Sequence, residues 1–84
     1  MNVSQLLTDA TLAFRAGRLD ESRQLLEDVL AVDHDNQSSL WGLFRICEAQ
    51  GDKAAAIEFL HRLAAVLPDD ISILEAIRHN NLTA

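Results

Sequence analysis

The chain has 84 residues, 49% hydrophobic and 24% charged, which suits one small folded domain and is too apolar for disorder. Thirteen acids against seven bases leave a net charge of −6, which disfavours nucleic acid and anionic membrane as partners and promotes solubility. One cysteine excludes an intrachain disulfide, and there is no basic, apolar leader and no membrane-length apolar run, so the cytoplasm is the expected compartment.

The first segment sets Leu6, Ala10 and Ala13 on one helical stripe and runs into Gly17. Glycine readily takes the left-handed conformation that closes a helix, so the first helix is expected to end there. Asp20 is the expected N-cap of a second helix with the stripe Leu25, Leu26, Val29, Leu30 and Val32. The run Asp33-His34-Asp35-Asn36 lacks the glycine and distal glutamate of a calcium loop and reads as a turn with a helix cap. Ser38 and Ser39 follow it as helix-start residues rather than nucleophiles.

A third helix carries Leu40, Leu43, Phe44 and Cys47 and runs into Gly51. Cys47 lies in an apolar setting and reads as a buried, inert thiol. Asp52 is the expected cap of a fourth helix bearing Ile57, Leu60, Leu63, Ala64 and Leu67. Pro68 ends it, and Asp69 or Asp70 can cap a fifth helix from about 70 to 79 with Ile71, Ile73, Leu74 and Ile77.

These elements repeat. Gly17 and Gly51 stand 34 positions apart, and the same offset carries Leu6 to Leu40, Ser22 to Ala56, Leu26 to Leu60, Val29 to Leu63 and Asp35 to Asp69. A period of 34 with helix–turn–helix units resembles the tetratricopeptide repeat family over nearly the whole chain. The family's small residue early in the second helix matches Ser22 and Ala56, its large residue four further on matches Leu26 and Leu60, and its closing proline matches Pro68. Asp9 departs from the usual leucine, Phe44 from the usual small residue, and His34 from the proline.

The resemblance implies an all-α right-handed superhelix of antiparallel helix pairs, with about five helices in a single domain, 1–84. Repeat 1 covers about 3–36 and repeat 2 about 37–70. A helix over about 70–80, in the place of the first helix of a third unit, caps the array.

The resemblance also implies a protein–protein adaptor that is not an enzyme and holds a peptide or helix on its concave face. By register the positions facing that groove include Leu7, Thr11, Phe14 and Arg15 in the first unit. In the second they are Trp41, Arg45, Glu48 and Ala49, and in the third Glu75 and His79. The residues selected for partner binding are Leu7, Thr11, Phe14, Trp41, Arg45, Glu48 and His79. Trp41 and Arg45, one turn apart, suit a peptide with an apolar anchor and a carboxylate. The plainer alternatives are that Trp41 packs between helices and that the arginines are solvated. Some members of this family clamp chaperone tails, but of Leu7, Thr11, Arg45, Glu75 and His79 only Arg45 offers positive charge, so that ligand is not expected.

No catalytic, cofactor-binding or metal-binding residue is expected. Asp20, Glu21, Glu27 and Asp28 fall mostly away from the apolar stripe and read as solvent-facing acids. His61 and His79 lack metal-ligand spacing, and no glycine-rich phosphate loop is present. Leu7, Phe14, Trp41 and Phe44 exceed the large apolar surface that two helical layers readily cover. A homodimer or a constitutive protein partner is therefore expected. The rival reading is a homo-oligomeric assembly module whose groove is filled by another copy.

Overall fold

The computed structural model describes residues 2–83, with side chains through residue 80. Among the described residues the elements are helices α1 (Val3–Arg15), α2 (Leu19–Val32), α3 (Gln37–Gln50), α4 (Lys53–Val66) and α5 (Ile71–Thr83), with no strand. α1 lies against α2 and α3 against α4; α2 joins the two pairs by packing on α3, and α5 packs on α4.

Each pair is closed by the same turn. Gly17 and Gly51 take φ values of 80° and 76°, in the left-handed region that glycine enters without a Cβ penalty. In the first turn the Arg18 N–H donates to the Ala13 carbonyl at 2.9 Å and the Gly17 N–H to Phe14 at 3.0 Å. In the second the Asp52 N–H donates to Cys47 at 2.8 Å and the Gly51 N–H to Glu48 at 3.1 Å. This is the Schellman arrangement, made twice at equivalent positions.

Helix starts follow the short polar residues. Asn36 accepts from the Ser39 N–H at 2.9 Å, Asp52 from Ala55 at 3.3 Å and Asp70 from Ile73 at 3.2 Å. Asp20 does not cap α2, contrary to the sequence expectation. α2 starts two residues earlier than that cap implies, with Arg18 at its N-cap position and no side-chain cap. Asp20 lies in the first turn, near the positive end of the helix dipole, and accepts from Gln50 Nε2 at 2.7 Å. α4 stops two residues before Pro68. α5 runs past the expected end near residue 79, because Asn80 donates its amide to the Ala76 carbonyl at 2.8 Å within the helix instead of breaking it.

The core centres on α3. Leu40, Leu43, Ile46, Leu60, Leu63 and Ile73 are fully buried, and Phe44 is 6% exposed with its ring edge-on to Trp41 at 5.9 Å. α1 and α2 approach closely at Ser22, whose hydroxyl donates to the Ala10 carbonyl at 2.7 Å. Ala56, the equivalent small residue, is likewise buried where α4 meets α3. Cys47 is buried, and that burial pushes its thiol pKa up; Asp52 and Glu27 add to the shift and Arg23 opposes it.

Three residues expected on apolar stripes lie outside the core. Val32 at the last turn of α2 is 59% exposed, and Ile71 and Leu74 are 70% and 50% exposed. α5 touches one neighbouring helix, so only the side holding Ile73 is covered.

The two pairs are also tied by a polar link. Arg23 of α2 donates to Gln50 Oε1 at 2.9 Å and to Asp52 Oδ2 at 3.3 Å, across the turn between α3 and α4. Its Nε faces Glu27 at 3.4 Å.

Gly51→Ala will lower stability by about 1 kcal/mol in urea unfolding, because the residue must hold a left-handed φ although its surroundings are open. Leu60→Ala removes a fully buried side chain and will cost on the order of 3 kcal/mol by the same measurement. Cys47 will react with a thiol reagent only as fast as the protein unfolds; rapid labelling of the native chain would contradict its placement in the core.

Candidate functional site

The first helices of the two pairs, α1 and α3, form one face of the molecule. Positions 7, 11 and 14 are spaced four and three apart, so Leu7, Thr11 and Phe14 share a side of α1. Across from them α3 presents Gly42, Arg45 and Ile46. Together these residues bound a cleft of about 350 Å³ floored by Ala10, Ser22 and Leu26.

The chemistry of the cleft follows from its lining. Leu7 is half-buried, Phe14 is 41% exposed, and Leu26 and Ile46 are buried, so the walls are apolar. Two of the lining hydroxyls are already used. Ser22 bonds to Ala10, and Thr11 Oγ1 donates to the Leu7 carbonyl at 3.0 Å. Arg45 is exposed at the rim and forms no ion pair among the described residues. The site offers an apolar seat beside one open cation.

Gly42 gives the cleft its depth. A Cβ placed there would stand 2.7 Å from Leu26 Cδ1, so the leucine methyl occupies the space above the glycine. A glycine in mid-helix, away from any turn, is the sequence signal of such a close approach.

A second cleft of about 500 Å³ lies between the α3–α4 turn and α5, bounded by Glu48, Gly51, Lys53, Ala56, His79 and Asn80. It is the first cleft displaced by one repeat. Glu48 stands in the place of Phe14, Ala56 of Ser22, His79 of Arg45 and Asn80 of Ile46. The repetition preserves the hollow and changes its chemistry from apolar to polar.

The structure thus brings Leu7, Thr11, Phe14 and Arg45 together in one cleft, and Glu48 and His79 in the next. Trp41 belongs to neither lining. It is half-buried against the core with its ring on Phe44, which is the packing role that its size favours. Sequence register alone did not select Gly42, Ile46 or Asn80, which line the clefts from positions beside the chosen ones.

The described residues contain no group of three His, Cys, Asp or Glu side chains placed to hold a metal ion, and no helix long and apolar enough to cross a membrane.

The sequence model described as Tetratricopeptide repeat matches residues 13–78. The chain is also 36% identical over 66 residues to Cellulose synthase 1 operon protein C of Komagataeibacter xylinus. That match covers 79% of this chain and spans 5% of the length of that much longer protein. With two hairpins closed by the same turn at a 34-residue interval and a family match over most of its length, the chain belongs to the tetratricopeptide repeat family, whose stacked helix pairs serve in general as protein–protein interaction modules.

Proposed function

We infer that this chain is an adaptor that docks a segment of another protein along the α1–α3 face. The observation that supports this reading is the first cleft, with its apolar walls of Leu7, Phe14 and Ile46 and the unpaired Arg45 at its rim. Such a seat suits a segment that inserts one large apolar side chain and sets a carboxylate beside it. The hydroxyls of Ser22, Thr11 and Thr8 in the lining are already hydrogen-bonded within the chain, which leaves the exposed Ser38 hydroxyl and Arg45 as its open polar groups. Glu48 and His79 extend the contact surface into the second cleft, where the partner would meet polar side chains. No side chain is required to perform a reaction, so the proposed role is binding rather than catalysis.

Trp41 separates the groove from the packing. Arg45 is exposed, and its truncation changes stability by about 0.5 kcal/mol or less, while Phe14 is 41% exposed and its truncation costs about 1 kcal/mol. Phe14→Ala with Arg45→Ala is therefore expected to abolish retention of the partner identified by affinity capture from native extract, with the helical circular dichroism at the working temperature unchanged. Partner retention at the wild-type level would refute the groove assignment. Trp41→Ala is expected to cost roughly 2 kcal/mol, seen as a lower urea midpoint, because it removes a half-buried ring packed on Phe44.

A further inference from the structure

The walls of the α1–α3 groove have helical spacing on both sides. Leu7, Thr11 and Phe14 line it from α1 and Ser38, Gly42 and Arg45 from α3, each set four and then three residues apart. Each wall therefore runs along its helix for about two turns, roughly 10 Å. The large apolar side chains of the α1 wall stand at its two ends, Leu7 and Phe14, with Ile46 opposite and Leu26 of α2 on the floor.

The lining decides between two kinds of backbone. An extended segment presents one N–H and one C=O per residue, and those turned into a cleft need partners there. At about 3.3 Å per residue, three extended residues would span the groove. Among the described residues its lining holds no asparagine, glutamine or acid, and the hydroxyls of Thr8, Thr11 and Ser22 are bonded to carbonyls within the chain. The Ser38 hydroxyl and the Arg45 guanidinium remain open, at opposite ends of the α3 wall, and Arg45 can only donate. Inward-facing peptide groups between them would meet Leu7, Phe14, Leu26 and Ile46 and go unpaired. A helix pairs its own backbone and asks only for a match of side chains.

Resting on the groove reading above, we propose that the occupant is an amphipathic helix of another protein, laid along α1 and α3. It carries apolar residues at i, i+3 or i+4, and i+7, and an acid on the edge of that stripe. The two outer anchors fit against Leu7 and Phe14, which are themselves seven residues apart. The acid meets Arg45, which is exposed and in no ion pair among the described residues. A hollow of about 350 Å³ takes the anchor side chains and not the roughly 10 Å girth of a helix, so the helix rests on the groove with its polar side in water. With a net charge of −6 on the chain, the remainder of that helix is neutral or basic.

The test is selection of a displayed library of random peptides, about 16 residues long, on the immobilised 84-residue chain, with the Phe14→Ala/Arg45→Ala variant as the subtracted control. Selected peptides are expected to share the helical spacing of apolar residues with an acid beside it, and to gain helical circular dichroism on binding. Proline placed between the anchors is expected to weaken each peptide by about tenfold or more. Arg45→Glu is expected to weaken binding similarly, and a lysine in place of the peptide's acid to restore it. Selected peptides with alternating apolar residues that tolerate proline would overturn the helical occupant and leave the groove reading standing. Equal capture by the double variant would overturn both, as would an empty selection from a chain that sediments as a monomer. An empty selection from a dimer that the double variant splits would overturn the foreign helix in favour of a second copy seated in the groove.

Discussion

The contact that makes one body of two hairpins is Leu26 of α2 resting on Gly42 of α3. Each hairpin hides part of its apolar surface by itself, but α2 must also lie close to the next pair for the central core to close. The absence of a side chain at Gly42 lets the Leu26 methyl groups settle onto the helix backbone. From that approach follow the burial of Leu40, Leu43 and Ile46 and the hollow left beside them between α1 and α3. The groove is thus a by-product of how the layers stack: α1 and α3 are held at a distance by the helix between and behind them.

A repeat fixes the shape of its surface hollows more strongly than their contents. The turn glycines, the small residue at Ser22 and Ala56 and the large one at Leu26 and Leu60 are under packing constraint, and they recur. Phe14 and Glu48, or Arg45 and His79, face outward, where packing sets no such limit. The two clefts therefore share walls and differ in chemistry. Specificity can change there without disturbing the fold, which is how one scaffold supports many partners.

The fold was legible because its signals agreed. The 34-residue offset, the two glycines and the helical stripes all pointed to paired helices, and the same turn bonds recur in both copies. Asp20 was misplaced because an acid one residue inside a helix start looks, in sequence, like a cap; only the hydrogen bonds separate the two. Val32, Ile71 and Leu74 were apolar and in phase, but phase shows which side of a helix is greasy and not whether another element covers it. Register alone drew the groove set, and it could not distinguish Trp41, turned onto Phe44, from Arg45, open at the rim. Gly42 carried the one local signal of the cleft, a mid-helix glycine without a turn to explain it.

Asp52 holds two tasks with one carboxylate. One oxygen caps α4 and the other meets Arg23 on α2. Fraying the first turn of α4 would release the arginine, and pulling α2 away would loosen that turn. Repeats joined only by apolar contact can open one at a time from the ends, whereas a shared carboxylate couples the opening of one unit to the other. Amide protons in α2 and in the first turn of α4 should thus exchange with solvent as a group, while α5, held by a single neighbour, opens independently of them.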